Sequence, residues 1–254
     1  MKEQIIKAFV EEDRIDVLNL YDKYMLSLNK DITVFGNCFY PPNIWRWFEK
    51  NCKNSNVRVE SNGIFKNSER RMIVFNNMYQ SSFPMKLFKI ESKSKFSDLK
   101  HKDFLGGILS LGIERNKIGD LLVENNMCYF PAHEDIISFL LYNLDKIGKT
   151  PCSIKEVNEP GEFPEIKLEE SIILVSSLRI DGIVSKLTKL PRSKAQMLID
   201  QGQVLLDYSK IKNKSYEVKQ DERITIKGTG KFIVGNVIGN SKSGKYKMII
   251  KKYT

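Results

Sequence analysis

Apolar residues recur at helical spacing over the first segment of the chain, at Ile5, Ile6, Phe9, Val10, Ile15, Val17, Leu18, Tyr21, Met25 and Leu28. The pattern predicts two helices with a break near residues 11–14. Phe39-Tyr-Pro-Pro interrupts it, and Pro42-Asn-Ile-Trp-Arg-Trp-Phe reads as a short helix opening at the second proline. Val57 to Glu60 and Arg71 to Asn76 carry the β-branched and apolar content of strands. Residues 1–80 are therefore expected to form an α/β unit.

The rhythm changes after residue 80. Met85 to Ile90 alternates as a strand, and Ser97-Asp-Leu-Lys opens a helix through Phe104 and Leu109 to Gly112. Gly119 to Val123 and Met127 to Ala132 read as strands. His133 to Ile147 reads as an amphipathic helix, and Cys152 to Val157 as a closing strand. The order β-α-β-β-α-β over residues 81–165 predicts a split β-α-β (RRM-like) sheet with two helices on one face. That fold hosts RNA binders, enzymes and scaffolds, so it leaves function open. Residues 158–170, rich in Pro and Glu, read as a linker or edge segment.

From Ser177 the pattern predicts two helices followed by short strands. The first places Ile180, Ile183, Val184 and Leu187 on one face, and the second ends at Gly202, where a left-handed cap is wanted. Its start has two readings. Ser193 and Gln196 have capping-box spacing, whereas Pro191 suits a first helical position. Either way Arg192 and Lys194 stand at or beside a helix N-terminus, where unpaired N–H groups favour phosphate. Val204 and Leu206 then alternate as a strand. Asp221 to Phe232 supplies another strand and a tight glycine turn.

Charge sharpens this picture. With 41% hydrophobic and 28% charged residues the chain has the composition of a soluble globular protein. No apolar run approaches the ~20 residues of a membrane span, and the N-terminus lacks the long apolar run of a secretory signal. A cytoplasmic protein without membrane partners is expected. Residues 177–254 hold 14 Lys and 3 Arg against 6 acidic residues, a net of +11, whereas residues 1–176 hold 24 basic against 25 acidic, a net of −1. Positive charge confined to one segment is the footprint of a polyanion-binding surface. Candidate RNA contacts are Arg179, Lys186, Lys189, Arg192, Ser193, Lys194, Lys210, Lys212, Lys214, Lys227 and Lys231. Asp181 is expected to orient Arg179 or cap the first helix.

Other chemistry is weakly encoded. Cys38, Cys52, Cys128 and Cys152 form no C-x-x-C pair and, with only His101 and His133 available, read as buried thiols; no metal is expected. Gly239-Asn-Ser-Lys-Ser-Gly-Lys245 fits most of a phosphate-binding loop. Tyr246 stands where that loop needs Ser or Thr, and a strand follows instead of a helix, so the segment reads as a basic hairpin turn. Gly106, Gly107 and Gly112 suit helix packing or ending, and Trp45 and Trp47 suit a core. No catalytic residues and no cofactor are expected.

Residues 177–231 resemble the S-four RNA-binding domain, the αL motif. Arg179-Ile-Asp181 matches its R-L-D opening, and Arg192, Ala195, Leu198-Ile199, Gly202, Val204 and Ile224 fall in register. Pro191 replaces a serine of the family pattern, Asp207-Tyr208 replaces Asn-Gly, and Asp221-Glu222 replaces Gly-Asp, departures that bear on turn geometry. The whole layout resembles the YlmH group of bacterial ribosome-associated proteins, with Phe104 to Val123 like that group's middle-domain signature. The resemblance implies an α+β protein of three parts (residues 1–80, 81–165 and 177–254). It implies a non-enzymatic monomer that binds rRNA and tRNA on the large ribosomal subunit during quality control of stalled translation. The alternative is an RNA-modifying enzyme, similar to pseudouridine synthases, that uses the C-terminal domain as an anchor.

Overall fold

The computed structural model describes residues 2–9, 11–52, 57–94, 98–158, 163–165 and 168–253. Packing divides the chain into two units, residues 1–165 and 166–254. The first contains two hydrophobic clusters and the second contains one. Helix and strand are mixed throughout, an α+β architecture.

The first cluster is built on α1 (Lys2–Ala8), α2 (Glu11–Lys30), β1 (Val34–Phe35), α3 (Pro42–Asn51), β2 (Val59–Asn62) and β3 (Met72–Phe75). The strands form an antiparallel sheet in the order β1-β3-β2, and all four residues of the central strand are buried. Pro42 fixes the first turn of α3, as a residue with a locked φ can. From α3, Trp45 is buried and its Nε1 donates to Glu69 O at 2.8 Å, which satisfies an indole N–H that burial would otherwise strand. Trp47 packs edge-on against Phe9 and Phe48, so both tryptophans belong to the core.

The second cluster follows β4 (Met85–Ser92), α4 (His101–Leu109), β5 (Leu122–Glu124), β6 (Met127–His133), α5 (Ile137–Asn143), β7 (Lys146–Ile147) and β8 (Thr150–Glu156). The sheet order β5-β6-β4-β8-β7 is antiparallel throughout, and its first four strands have the split β-α-β arrangement. The helix opening expected at Ser97 lies outside the described residues.

One expected element is shorter than its sequence pattern. The helical period over 133–147 ends at Asn143, because Lys146 and Ile147 turn through Gly148 (φ +58°) to pair with Thr150 and Pro151. Leu140, Leu144 and Ile147 are all buried, so the i, i+4, i+7 pattern is real. A strand supplies its last member. A Cβ on Gly107 would meet Ile147 Cδ1 at 2.6 Å, so α4 lies against this hairpin as closely as a glycine permits.

The two clusters of the first unit are joined by polar contacts. The Asp120 carboxylate accepts the backbone N–H groups of Glu69 and Arg70. Phe39 N donates to Asn116 O at 2.7 Å, and Lys117 Nζ donates to Asn37 O. Burial pushes the Asp120 carboxyl above its ordinary pKa, and the neighbouring Glu69 charge adds to the effect.

In the second unit, β9 (Leu168–Val175) precedes α6 (Ile180–Thr188) and α7 (Arg192–Asp200). Then come β10 (Val204–Leu206), β11 (Ser209–Lys210), β12 (Arg223–Ile226), β13 (Gly230–Asn240) and β14 (Tyr246–Tyr253). The antiparallel sheet runs β11-β10-β12-β13-β14-β9. Sequence pattern starts this domain at Ser177, but the sheet already includes Leu168–Val175, paired residue for residue with β14. Of the expected linker, residues 159–162 and 166–167 lie outside the described residues, and 168–170 are edge strand. Ile180, Ile183 and Val184 of α6 pack with Ala195 and Ile199 of α7 against Val204, Ile224, Phe232 and Met248 of the sheet.

Candidate nucleic-acid interface

The helix pair is organised around one carboxylate. Asp181 is fully buried and accepts Arg179 through Nε (3.3 Å) and Nη2 (3.1 Å). It accepts Arg192 through Nε (3.0 Å) and Nη2 (2.9 Å). Gln196 Nε2 at 2.9 Å and Gly182 N at 2.8 Å complete its shell. Burial disfavours the charged form, but the hydrogen bonds from Arg192, Arg179 and Gln196 outweigh it and hold the carboxyl well below the usual carboxylate range. One negative charge between two guanidiniums leaves a net positive site. Their side chains remain 36% and 48% exposed while Nε and Nη2 of each are engaged by Asp181.

This shell decides how α7 begins. The helix starts at Arg192 with Pro191 as N-cap, one position before the expected proline site, and no side chain caps it. The capping box does not form, because Gln196 is engaged by Asp181. Ser193 is an exposed first-turn residue. The connection from α6 turns through Lys189 in the left-handed region (φ 57°), steadied by Ser185 Oγ donating to Leu190 O at 2.7 Å.

The remaining basic residues fall into two groups. Lys186, Lys189, Lys194, Lys210, Lys212 and Lys227 are exposed. Lys214 pairs with Asp200 at 2.7 Å, and Lys231 donates to the Tyr208 hydroxyl at 3.0 Å while lying over the rings of Tyr208 and Tyr253. Three backbone contacts draw residues 214–218 beside the start of α6: Ile180 N to Tyr216 O, Asp181 N to Lys214 O and Val218 N to Leu178 O. Lys227 N donates to Gln203 O, and the Lys210 stem packs at Gly202, where φ is +66°.

Both turns where the chain departs from the S-four pattern keep the left-handed backbone that glycine would supply. Asp207 and Tyr208 have φ 44° and 71°, and Asp221 has φ 66°. The first turn is held by Arg223 N donating to Asp207 Oδ1 at 2.9 Å and by the Tyr208–Lys231 contact. Near the second, Glu222 accepts the Tyr216 hydroxyl at 2.6 Å and Lys219 N at 2.8 Å. Burial raises the Glu222 carboxyl above its ordinary pKa, against the pull of those bonds.

Sequence reasoning placed Arg179, Asp181 and Arg192 in one motif but missed Gln196 as their fourth member. Its position one turn after Arg192 was the available signal. The Tyr208–Lys231–Tyr253 cluster could not be read from sequence, since strand pairing alone brings these residues together. All four cysteines are buried thiols. Among the described residues no acidic, cysteine and histidine cluster suits a metal, and no helix is long and apolar enough to cross a membrane.

The family model described as "Putative RNA-binding domain in YlmH" matches residues 79–160, and the S4 domain model matches residues 178–224. The chain is 23% identical over 203 residues to "Ribosome-associated protein quality control protein P2" of Bacillus subtilis (strain 168), covering 78% of this chain and 79% of that protein. A solved structure named "Cell division protein ylmH from Streptococcus pneumoniae" is 24% identical with a TM-score of 0.48, covering 59% of this chain and 93% of that one. With the two matched domains present in sequence order, the chain is a YlmH-like protein in which an S4 domain follows a YlmH-type RNA-binding domain.

Proposed function

We propose that this protein is a non-enzymatic RNA-binding factor that docks on the large ribosomal subunit and contacts rRNA and tRNA during quality control of stalled translation. The observation that carries the reading is the concentration of a net +11 charge in residues 177–254, beside an almost neutral remainder. Phosphate is the natural counter-charge for such a surface, because its neutralisation releases condensed counterions. The Asp181 shell supports the reading chemically. It fixes two guanidinium forks in place, and a fixed fork loses little entropy when it grips a phosphate. Exposed Lys186, Lys189, Lys194, Lys210, Lys212 and Lys227 would extend the contact along the backbone, with Ser193 beside the first turn of α7. The B. subtilis relative's name adds the ribosome and quality control to this picture.

The test is sedimentation of the full-length protein with purified ribosomal subunits, followed by tRNA binding over a salt series. The protein is expected in the large-subunit fraction at low salt. Its log affinity should fall linearly with log salt, by about 0.9 per phosphate neutralised, the B-DNA value used as a guide. A protein that stays at the top of the gradient at low salt would overturn the proposal.

A further inference from the structure

The longest exposed stretch of the second unit lies outside the S4 match, in the β13–β14 hairpin. Every residue from Asn236 to Lys247 is exposed except half-buried Ser241. Strand β12 pairs with β13 only as far as Ile233, so the outer part of β13 continues past it with β14 as its partner. Two register shifts, between Val234 and Val237 and between Val237 and Asn240, insert extra residues into β13 alone. Bulges of this kind bend and twist a strand away from its sheet. Gly239 (φ +137°) and Gly244 (φ +77°) make the tight tip, closed by Ser241 N to Lys245 O at 2.7 Å and Gly244 N to Ser241 O at 2.9 Å.

Charge is sorted along this ribbon. No acidic residue follows Glu222 in the chain. At the base, Lys251 pairs with Glu170 at 2.7 Å, and Lys252 stands opposite Glu169 in register. At the tip, Lys242, Lys245 and Lys247 are exposed and make no ion pair among the described residues. In register with β9, Lys247 stands opposite Leu174 and Tyr246 opposite Val175, so no acidic residue faces this end of β14 as Glu169 and Glu170 do at the base. Asn236, Asn240, Ser241 and Ser243 place uncharged hydrogen-bonding groups among the lysines.

We propose that this ribbon is a second RNA-binding element, laid against the sugar–phosphate backbone of duplex RNA and distinct from the helix-pair surface. The inference deepens the RNA-binding reading and rests on it. Duplex is favoured over single strand because the tip carries one aromatic residue, Tyr246, where single-strand binders use a series of stacking platforms. Three ammonium groups that make no ion pair among the described residues, set among short amides and hydroxyls, suit phosphates and 2′-hydroxyls across the wide, shallow minor groove of an A-form helix.

The test uses the full-length protein and a labelled blunt RNA duplex two helical turns long. A single-stranded RNA of equal length and anionic phosphatidylglycerol vesicles serve as comparators. Two triple variants are compared with wild type, K242Q/K245Q/K247Q at the ribbon and K186Q/K189Q/K194Q at the helix pair. The ribbon variant should bind duplex at least tenfold more weakly and lower the salt slope by about 2.7, which is ~0.9 for each of three phosphates no longer neutralised. Its urea midpoint should not move, because the substituted side chains are exposed. If the ribbon variant binds duplex like wild type while the helix-pair variant loses affinity, the ribbon inference falls and RNA binding stands. If the ribbon variant loses only vesicle or single-strand binding, the duplex assignment falls. If wild type binds no RNA, both readings fall.

Discussion

Truncating Asp181 to alanine tests whether the helix pair is built on its ion cluster or merely decorated by it. The substitution removes the acceptor for two bonds from Arg179, two from Arg192 and one each from Gln196 and Gly182 N. It leaves two guanidiniums without their shared counter-charge and the half-buried Gly182 N–H without its acceptor. Removing one partner of a buried ion pair costs ~3–5 kcal/mol. The arginines are 36% and 48% exposed and recover part of their hydration. The expected loss is therefore at the low end, about 3 kcal/mol. Urea denaturation gives the total. Hydrogen exchange of peptides spanning residues 178–201 should show that the loss is local. Asp181→Asn should lose less, since its amide oxygen still accepts. A loss under ~1 kcal/mol for the alanine variant is what an exposed surface pair would give, and would refute a structural role for the cluster. In that event packing alone holds the two arginines, and truncation should not lower RNA affinity.

Two further outcomes concern the same unit. Lys189→Gly places glycine at a left-handed position without altering the Ser185–Leu190 bond, so thermal stability should rise by about 1 kcal/mol. If Lys189 meets phosphate, RNA affinity should fall as stability rises; a lower melting temperature would contradict the assignment of backbone strain at this residue. The stability difference between wild type and Asp181→Asn should also depend on pH. A carboxyl held below its ordinary value in the folded state contributes stability that is fully present above its unfolded pKa of ~3.9 and is lost as pH falls through the folded value. The gap should be constant from neutral pH to about 5 and shrink below about 4. Asp120 titrates in the opposite sense, since its folded pKa is raised, but it cancels in the difference because both proteins contain it. A gap unchanged in strong acid would mean that Asp181 is not ionised against its arginines.

Sequence was most informative where one face of an element meets one core. Ile180, Ile183 and Val184, the split β-α-β order and the left-handed Gly202 were all readable, because period, breaker and cap agree locally. Legibility failed where a non-local partner decides. The 133–147 pattern satisfies a helix and is met instead by a helix and a hairpin, since burial constrains Ile147 without dictating its backbone. Strand β9 was hidden by its composition. It lies at a sheet edge with Glu169, Glu170 and Ser171 exposed, so only pairing with β14 reveals it. The split start of α7 had the same origin. A cap and an ion cluster compete for Gln196, and the buried carboxylate, invisible in a capping pattern, takes it. For the candidate interface, sequence named the lysines but not which of them are already engaged: Lys214 and Lys231 have protein partners, whereas Lys186, Lys189 and Lys194 are exposed.

The bonds from Glu69 and Arg70 to Asp120 have a consequence for how the first unit would come apart. Residues 76–84 link its two clusters covalently, yet Asp120 and the Phe39–Asn116 bond hold them together independently of that link. A protease nick in this link would leave the two fragments associated. Cutting the chain to the 79–160 match would strip Asp120 of its two N–H donors and uncover Gly119, where an added Cβ would meet the Phe39 ring at 3.1 Å. The smallest piece that melts as one body is accordingly larger than the piece that similarity delimits.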